Sequence, residues 1–479
     1  MKRLALLFAL LVSCLASAQV GPSVTYDKFL QAAPPLKQVG MLKVDPSLRV
    51  DRWSIGCECL DRDMADFAQY GAYVGELGVG HARIQSGWAK TEKVKGQYDF
   101  AWLDAIVDGL LAQNVQPWMC LCYGNPLYGS GTTLGNAIPS GSATMKAWEK
   151  YVSATVEHFK GRVQCYEIWN EPNISENKGH PERYVKLLRV TCPVIRKANP
   201  SARIAAFALA SLDYEFLDEG LKALKPGMFD IVTLHKYFEN PDEGDYDFRL
   251  LTDRIHDFDP SVKVVMGEGG CPSELGWDHA LKYQEWTEYS QAKVDLRRMA
   301  CDFAQGRPSS IFTMVDLVYP DFRQSFGLLC TSLKGRVVYK KPSFYAVLNM
   351  VHLLPDEVTP CPVSASDSTG RSVKYTGLSK DGKCLGALIY FADDAPSSSL
   401  EWTRVKVSLK GLILEDPVLV EPVTGRVFAL DRYHYSPNNP DRTYTVYIWD
   451  SPVFLMERSA VPVRGSTVDA VGESFYNEF

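Results

Sequence analysis

The sequence predicts a closed parallel (β/α)8 barrel followed by an all-β sandwich, and three observations lead there. From Arg52 to about Pro355, short apolar strands alternate with longer amphipathic helices; the strands number eight; beyond Pro355 the helices stop and short strands continue. Strict alternation argues a parallel sheet, because each helix carries the chain back to start the next strand in the same direction. Eight such units are what closure into a barrel requires. At 479 residues the chain is long enough for both parts.

The elements follow in order. Lys2 and Arg3 precede an apolar run from Leu4 to Val12, and Ala16-Ser17-Ala18 supplies a small-residue cleavage site, so residues 1–18 read as an export signal. Leu11-Val12-Ser13-Cys14 also resembles a lipobox, which makes a lipid anchor at Cys14 the alternative. No other stretch approaches the roughly 18 apolar residues of a membrane span. Residues 19–50 carry Pro22, Pro34, Pro35 and Pro46 with little periodicity and read as a lead-in.

Residues 51–355 hold the barrel. Its strands are expected at Trp53–Cys57, His81–Ile84, Val115–Leu121, Val163–Ile168, Arg203–Phe207, Ile231–Leu234, Val262–Met266 and Ser310–Asp316. Helical spacing is readable at Met64–Leu77, Phe100–Gln113, Thr144–Lys160, Glu182–Ala198, Tyr214–Leu224, Arg249–Phe258, Trp286–Gln305 and Ser343–Leu354. Residues 356–458 read as the sandwich, with turn signals such as Lys380-Asp381-Gly382, and 459–479 as a tail.

Composition narrows the function classes. A hydrophobic content of 46%, a charged content of 23% and a net charge of −6 describe a globular protein with no electrostatic reason to bind nucleic acid. Twelve cysteines would suggest disulfides in an exported chain, but eleven follow Cys14, and Cys57/Cys59 and Cys120/Cys122 each share one strand face. They read chiefly as buried thiols acting as small hydrophobes, with one or two disulfides as the alternative. No histidine stands at zinc-site spacing from them, and no metal is expected.

Chemistry concentrates at two strand ends. The fourth strand runs into Asn170-Glu171-Pro172-Asn173, and the seventh into Gly267-Glu268-Gly269-Gly270, whose glycines read as leaving room for a ligand. In a parallel barrel, strand ends are where reactive side chains sit. Two carboxylates delivered by different strands suit glycosidic bond cleavage, where one protonates the leaving oxygen and the other attacks the anomeric carbon.

Tyr166-Glu167-Ile168-Trp169-Asn170-Glu171-Pro172-Asn173, with a glutamate ending the seventh strand, resembles clan A of the retaining β-glycosidases. Leu77 through Trp88, Tyr98-Asp99-Phe100 and the C-terminal β-domain are most similar to glycoside hydrolase family 39 and its relatives. The resemblance implies that Glu171 is the general acid/base and Glu268 the nucleophile. It further implies that Arg83 orients Glu268, that Asn170 bonds the sugar 2-hydroxyl, that Tyr237 bonds the nucleophile and that His235 lines the sugar site.

Sugar rings also present an apolar face that stacks on aromatic side chains. Trp88, Tyr123 and Trp277 lie beyond strand ends and are the better platform candidates; Trp118 is mid-strand, and Asn125 is a plausible polar contact. Glu58 either reaches the sugar or stands as a solvated or loop-bonding carboxylate. One departure stands out: the eighth strand lacks the tryptophan common in the clan, leaving Phe312 or Tyr319 as the floor of the sugar site. The signal and the resemblance together imply an exported retaining β-glycosidase acting on oligo- or polysaccharide, with a β-xylosidase-like activity as the reading nearest the family, and with no cofactor. An endo-acting β-glucanase of the same clan and a non-catalytic carbohydrate-binding barrel are the alternatives; sugar, linkage and oligomeric state stay open.

Overall fold

Eight parallel strands close into a barrel in the computed structural model, which describes residues 20–435 and 443–464. One strand, β1 (Lys37–Leu42), precedes the barrel and lies outside it. The barrel strands are β2 (Val50–Gly56), β3 (Val79–Gln85), β4 (Gln116–Leu121), β5 (Cys165–Ile168), β6 (Arg203–Leu209), β7 (Ile231–His235), β8 (Lys263–Gly269) and β9 (Ser309–Ile311). Closure is made by β9 pairing with β2, Trp53 opposite Ser309 and Ile55 opposite Ile311. The export signal, the lipobox at Cys14 and most of the tail lie outside the described residues. Among the described residues no helix is long and apolar enough to cross a membrane.

Beginning with α1 (Val24–Gln31) in the lead-in, the principal helices are α2 (Ala101–Leu111), α3 (Ser142–His158), α4 (Pro181–Ala198), α5 (Tyr214–Lys222), α6 (Asp245–Phe258), α7 (Glu288–Ala304) and α8 (Pro342–Leu353). The helix expected over 64–77 does not form as one piece. A single turn at Phe67–Tyr70 passes into 3-10 turns at Gly71–Tyr73 and Gly75–Leu77. Two glycines within five residues weaken the helix, and the Gln113 side chain takes over their backbone groups, donating to Gly71 O at 2.8 Å and accepting from Gly75 N at 3.0 Å. The eighth strand also ends early, at Ile311. Beyond it Met314 N donates to Gly56 O at 2.8 Å, which draws the chain across the top of β2.

The C-terminal part is two antiparallel sheets, one of eight strands and one of three. In the smaller sheet the alternate residues Val405, Val407 and Leu409, with Tyr444, Val446 and Ile448, join the same buried core as Leu388 and Phe454 of the larger sheet. The lead-in is part of this domain: β1 pairs with Arg426–Ala429 and with Val463–Arg464. Arg426 anchors α1 as well, donating to the carbonyls of Phe29, Leu30 and Ala32 at 2.8–3.0 Å.

The two parts meet across α7, which is buried at every position from Ser290 to Phe303. Lys293 donates to Asp450 at 2.5 Å, Arg297 to Asp394 O at 2.7 Å, and Tyr390 to Asp242 at 2.7 Å. The eleven cysteines from Cys57 to Cys384 are unbridged, nine of them buried.

Candidate active site

Everything at the top of the barrel converges on Arg83, the fifth residue of β3, whose side chain is fully buried. Its Nη1 donates to Glu268 at 2.6 Å and to Glu58 at 3.2 Å; its Nε donates to Glu167 at 2.7 Å; its Nη2 donates to Asn170 Oδ1 at 2.7 Å. A guanidinium fork is the one side chain able to serve so many acceptors in fixed geometry. Three carboxyl groups on one cation cannot all be ionised cheaply in a buried site. Glu58 absorbs the conflict, since burial and the charge of Glu268 push its carboxyl up to about 8. Thr313 donates to its other oxygen at 3.1 Å.

The two predicted carboxylates stand together. One oxygen from each of Glu171 and Glu268 and one ring nitrogen of His235 all lie within 4.8 Å of one another. Glu171 follows β5 with φ +49°, in the left-handed region that side chains rarely adopt, and Trp169 before it has φ +68°. The Glu171 N–H is taken by Ala208 O at 3.1 Å, so the strained turn is held from β6. Burial raises the Glu171 carboxyl to about 7, against the opposing pull of Arg83. Glu268 instead receives Arg83 and the Tyr237 hydroxyl, the latter at 2.8 Å. Glu171 therefore favours its proton, while Glu268 is surrounded by hydrogen-bond donors.

His235 ends β7, fully buried, with Nδ1 3.2 Å from Glu171 and 3.4 Å from Glu268. Desolvation lowers it to about 4, so the ring is neutral between the two acids. These three residues are also the cluster among the described residues with ligand atoms close enough for a metal ion. Asn170 is held at both ends, its Oδ1 by Arg83 and its Nδ2 donating to Tyr123 OH at 3.0 Å.

Other expected residues land elsewhere. Trp88 is fully buried, stacked between Tyr128 and Tyr151, with Nε1 donating to Glu92 at 2.6 Å, so neither ring face is free for a sugar. Asn125 is buried too, its amide donating to Glu92 O at 2.8 Å and its oxygen capping Leu127 N at 2.9 Å. It shapes the loop after β4 instead of facing the site. Tyr123 lies under the Arg62 guanidinium, 4.9 Å from its ring centre, and acts by holding Asn170. Trp277 is 72% exposed on the loop after β8. Phe312 lies edge-on to Tyr237, 6.1 Å between ring centres, at the position where the floor was expected.

Of the glycines around Glu268, Gly267 and Gly270 leave no open space, whereas a side chain at Gly269 would meet nothing closer than 3.6 Å. A side chain at Gly270 would meet Phe312 O at 2.4 Å, and one at Gly267 would meet His235 at 3.0 Å. They allow β8 to pack against its neighbours. Sequence reasoning missed Glu167 as a partner of Arg83; as a buried acid one residue before a strand's end it needed a cation, and that was its signal.

Comparison with known proteins agrees with this geometry. Residues 77–253 match the family model described as "Glycosyl hydrolases family 39". A β-xylosidase of Geobacillus stearothermophilus is 26% identical over 161 residues, 30% of this chain and 32% of that protein, so the match spans about a third of the relative's length. A family 39 glycoside hydrolase from Bacteroides cellulosilyticus superposes with a TM-score of 0.68 at 17% identity, over 87% of this chain and 82% of that one. A GH39 β-xylosidase from Caulobacter crescentus gives 0.52 at 19% identity, over 88% and 98%. The chain is thus similar to family 39 in sequence over part of the barrel and shares the fold of its members over most of its length.

Proposed function

We propose that this chain, similar as it is to glycoside hydrolase family 39, is an exported retaining β-glycosidase of oligo- or polysaccharides. The observation that carries the reading is the approach of the Glu171 and Glu268 oxygens to within 4.8 Å. Retaining enzymes hold their carboxyl groups about 5–5.5 Å apart, whereas inverting ones keep about 6.5–9.5 Å to admit a water. In the first step Glu268 attacks the anomeric carbon, the bond to the leaving oxygen breaks, and Glu171 gives that oxygen its proton. In the second, Glu171 takes a proton from water, the water oxygen bonds to the anomeric carbon, and the ester to Glu268 breaks.

The surroundings fit these roles. Arg83 and Tyr237 both donate to Glu268 and so orient it, and burial favours a protonated Glu171 near neutral pH. Neutral His235 separates the two acids without adding a charge. For the sugar, the similarity to β-xylosidases of Geobacillus and Caulobacter supports a β-xyloside. Proton NMR of the first product released from an aryl β-xyloside tests both points: the β-anomer is expected, and initial release of the α-anomer sinks the retaining mechanism. Glu268→Ala should lower kcat by about a thousandfold or more.

A further inference from the structure

We propose that the loop joining β8 to α7, residues 270–287, carries a saccharide platform made of Trp277 and Tyr283. It takes a sugar unit of a β-linked chain beyond the unit held at the carboxylates. This inference rests on the glycosidase reading and adds which residues take the sugar unit beyond the one being cleaved.

The loop leaves β8 directly after Glu268 and is tied down on both sides. Ser273 N donates to Ser325 O at 3.0 Å, and Arg323 donates to Glu274 at 2.9 Å, fixing it to the loop after β9. Gln284 donates to Glu239 at 2.9 Å, fixing it to the loop after β7, which also supplies Tyr237. It therefore crosses the rim beside Glu268. Between the anchors, His279, Leu281 and Tyr283 all have φ between +57° and +68°. Three non-glycine residues in that region within five positions store strain, which persists where the geometry is used.

At the tip the side chains turn outward. Trp277 is 72% exposed and Tyr283 62%, their ring centres 6.3 Å apart, and Tyr283 N closes the neck on Gly276 O at 2.9 Å. Large exposed aromatics on a constrained loop present apolar faces that carbohydrate C–H groups stack on: Trp277 offers its indole, and Tyr283 the ring face away from the Lys282 ammonium, which stands 5.2 Å from the ring centre. The loop packs on the segment after β9 through His279, whose ring is tilted 55° to that of Tyr319 with the centres 5.0 Å apart. Tyr319 in turn stacks on Phe322, 4.6 Å between ring centres. The loop thus runs from the strand that carries Glu268 to the exposed rings along an aromatic wall, which favours a saccharide over other occupants.

Trp277→Ala and Tyr283→Ala test this, with circular dichroism to check folding. kcat/KM is measured on an aryl β-xyloside and on β-1,4-xylo-oligosaccharides of two to six units, and binding of the oligosaccharides by affinity electrophoresis and calorimetry. Each variant should lose about tenfold more on the longer chains than on the aryl glycoside, with matching loss of binding. Equal effects on all substrates, or unchanged binding, overturn the platform even when the wild type turns over. Binding that depends on Trp277 in a protein releasing no sugar supports the platform and defeats the glycosidase reading. Concentration-dependent self-association abolished by Trp277→Ala, with saccharide binding intact, assigns the rings to a second copy and overturns it.

Discussion

The chemistry of this barrel is set by how four acceptors, three of them carboxyl groups, share one guanidinium. Glu171, raised to about 7, must hold its proton to act as an acid, so activity that depends on it is lost as pH rises through that value. The alkaline limb of kcat/KM is expected near pH 7, and Glu171→Gln should abolish that limb while lowering turnover of substrates with poor leaving groups. Tyr237→Phe removes a hydrogen bond to a charged oxygen, worth about 1.5–3 kcal/mol, and should lower kcat by about 10- to 150-fold in steady-state assays. Glu58 leaves a mark on stability. Raised from 4.5 to about 8, it keeps in the folded state a proton that the unfolded chain releases, so its stabilising contribution is complete below about 4.5 and lost as pH rises to about 8. Thermal unfolding of Glu58→Gln should gain on the wild type between pH 5 and 8; a constant difference across that range sinks the assignment. At this scale the sequence pointed to Glu171, Glu268, Arg83, Asn170 and Tyr237, which the structure brings close together; the motif carries Asn170 and Glu171, and strand position the others. It hid the fates of Trp88 and Asn125, since facing within a loop is fixed by what packs there and not by distance from a strand.

Among the elements, alternation made the barrel strands legible to within a few residues, because periodicity in β3 through β8 records burial directly. The exceptions share a cause. The helix expected over 64–77 and the end of the eighth strand are both decided by distant groups, the Gln113 amide in one case and Gly56 O in the other. The junction of β8 with β9 is similar. A methyl group at Gly270 would stand 2.4 Å from the Phe312 carbonyl oxygen, a backbone atom with little freedom to yield. Gly270→Ala should therefore destabilise by about 1–3 kcal/mol in urea unfolding and displace Glu268 enough to lower kcat. Wild-type stability in that variant would show that the two strands are less tightly joined than the geometry requires.

For the molecule as a whole, the change in texture near Pro355 falls between α8 and the next strand, Thr359–Cys361, but the union of the two parts was not legible. Residues 19–50 look featureless alone because β1 finds its partners nearly four hundred residues away, in Arg426–Ala429. α7 carries the same message. An amphipathic helix of an isolated barrel shows one polar face to water, whereas α7 is covered all round, with Lys293 and Arg297 reaching the β-domain at Asp450 and Asp394 O. Removing that domain would expose apolar surface along the helix and leave two buried cations with fewer partners. Losing one partner of a buried pair typically costs about 3–5 kcal/mol, comparable with the whole stability of many domains. A fragment spanning residues 51–355 should accordingly fail to give soluble protein with a cooperative thermal transition, although it contains every strand of the barrel and both carboxylates. Restoring residues 356–464 alone should recover only part of the stability, since β1 and α1 would still be missing from the sheet edge and from Arg426. Differential scanning calorimetry of the three lengths separates these contributions, and a cooperative transition in the 51–355 fragment would refute the argument.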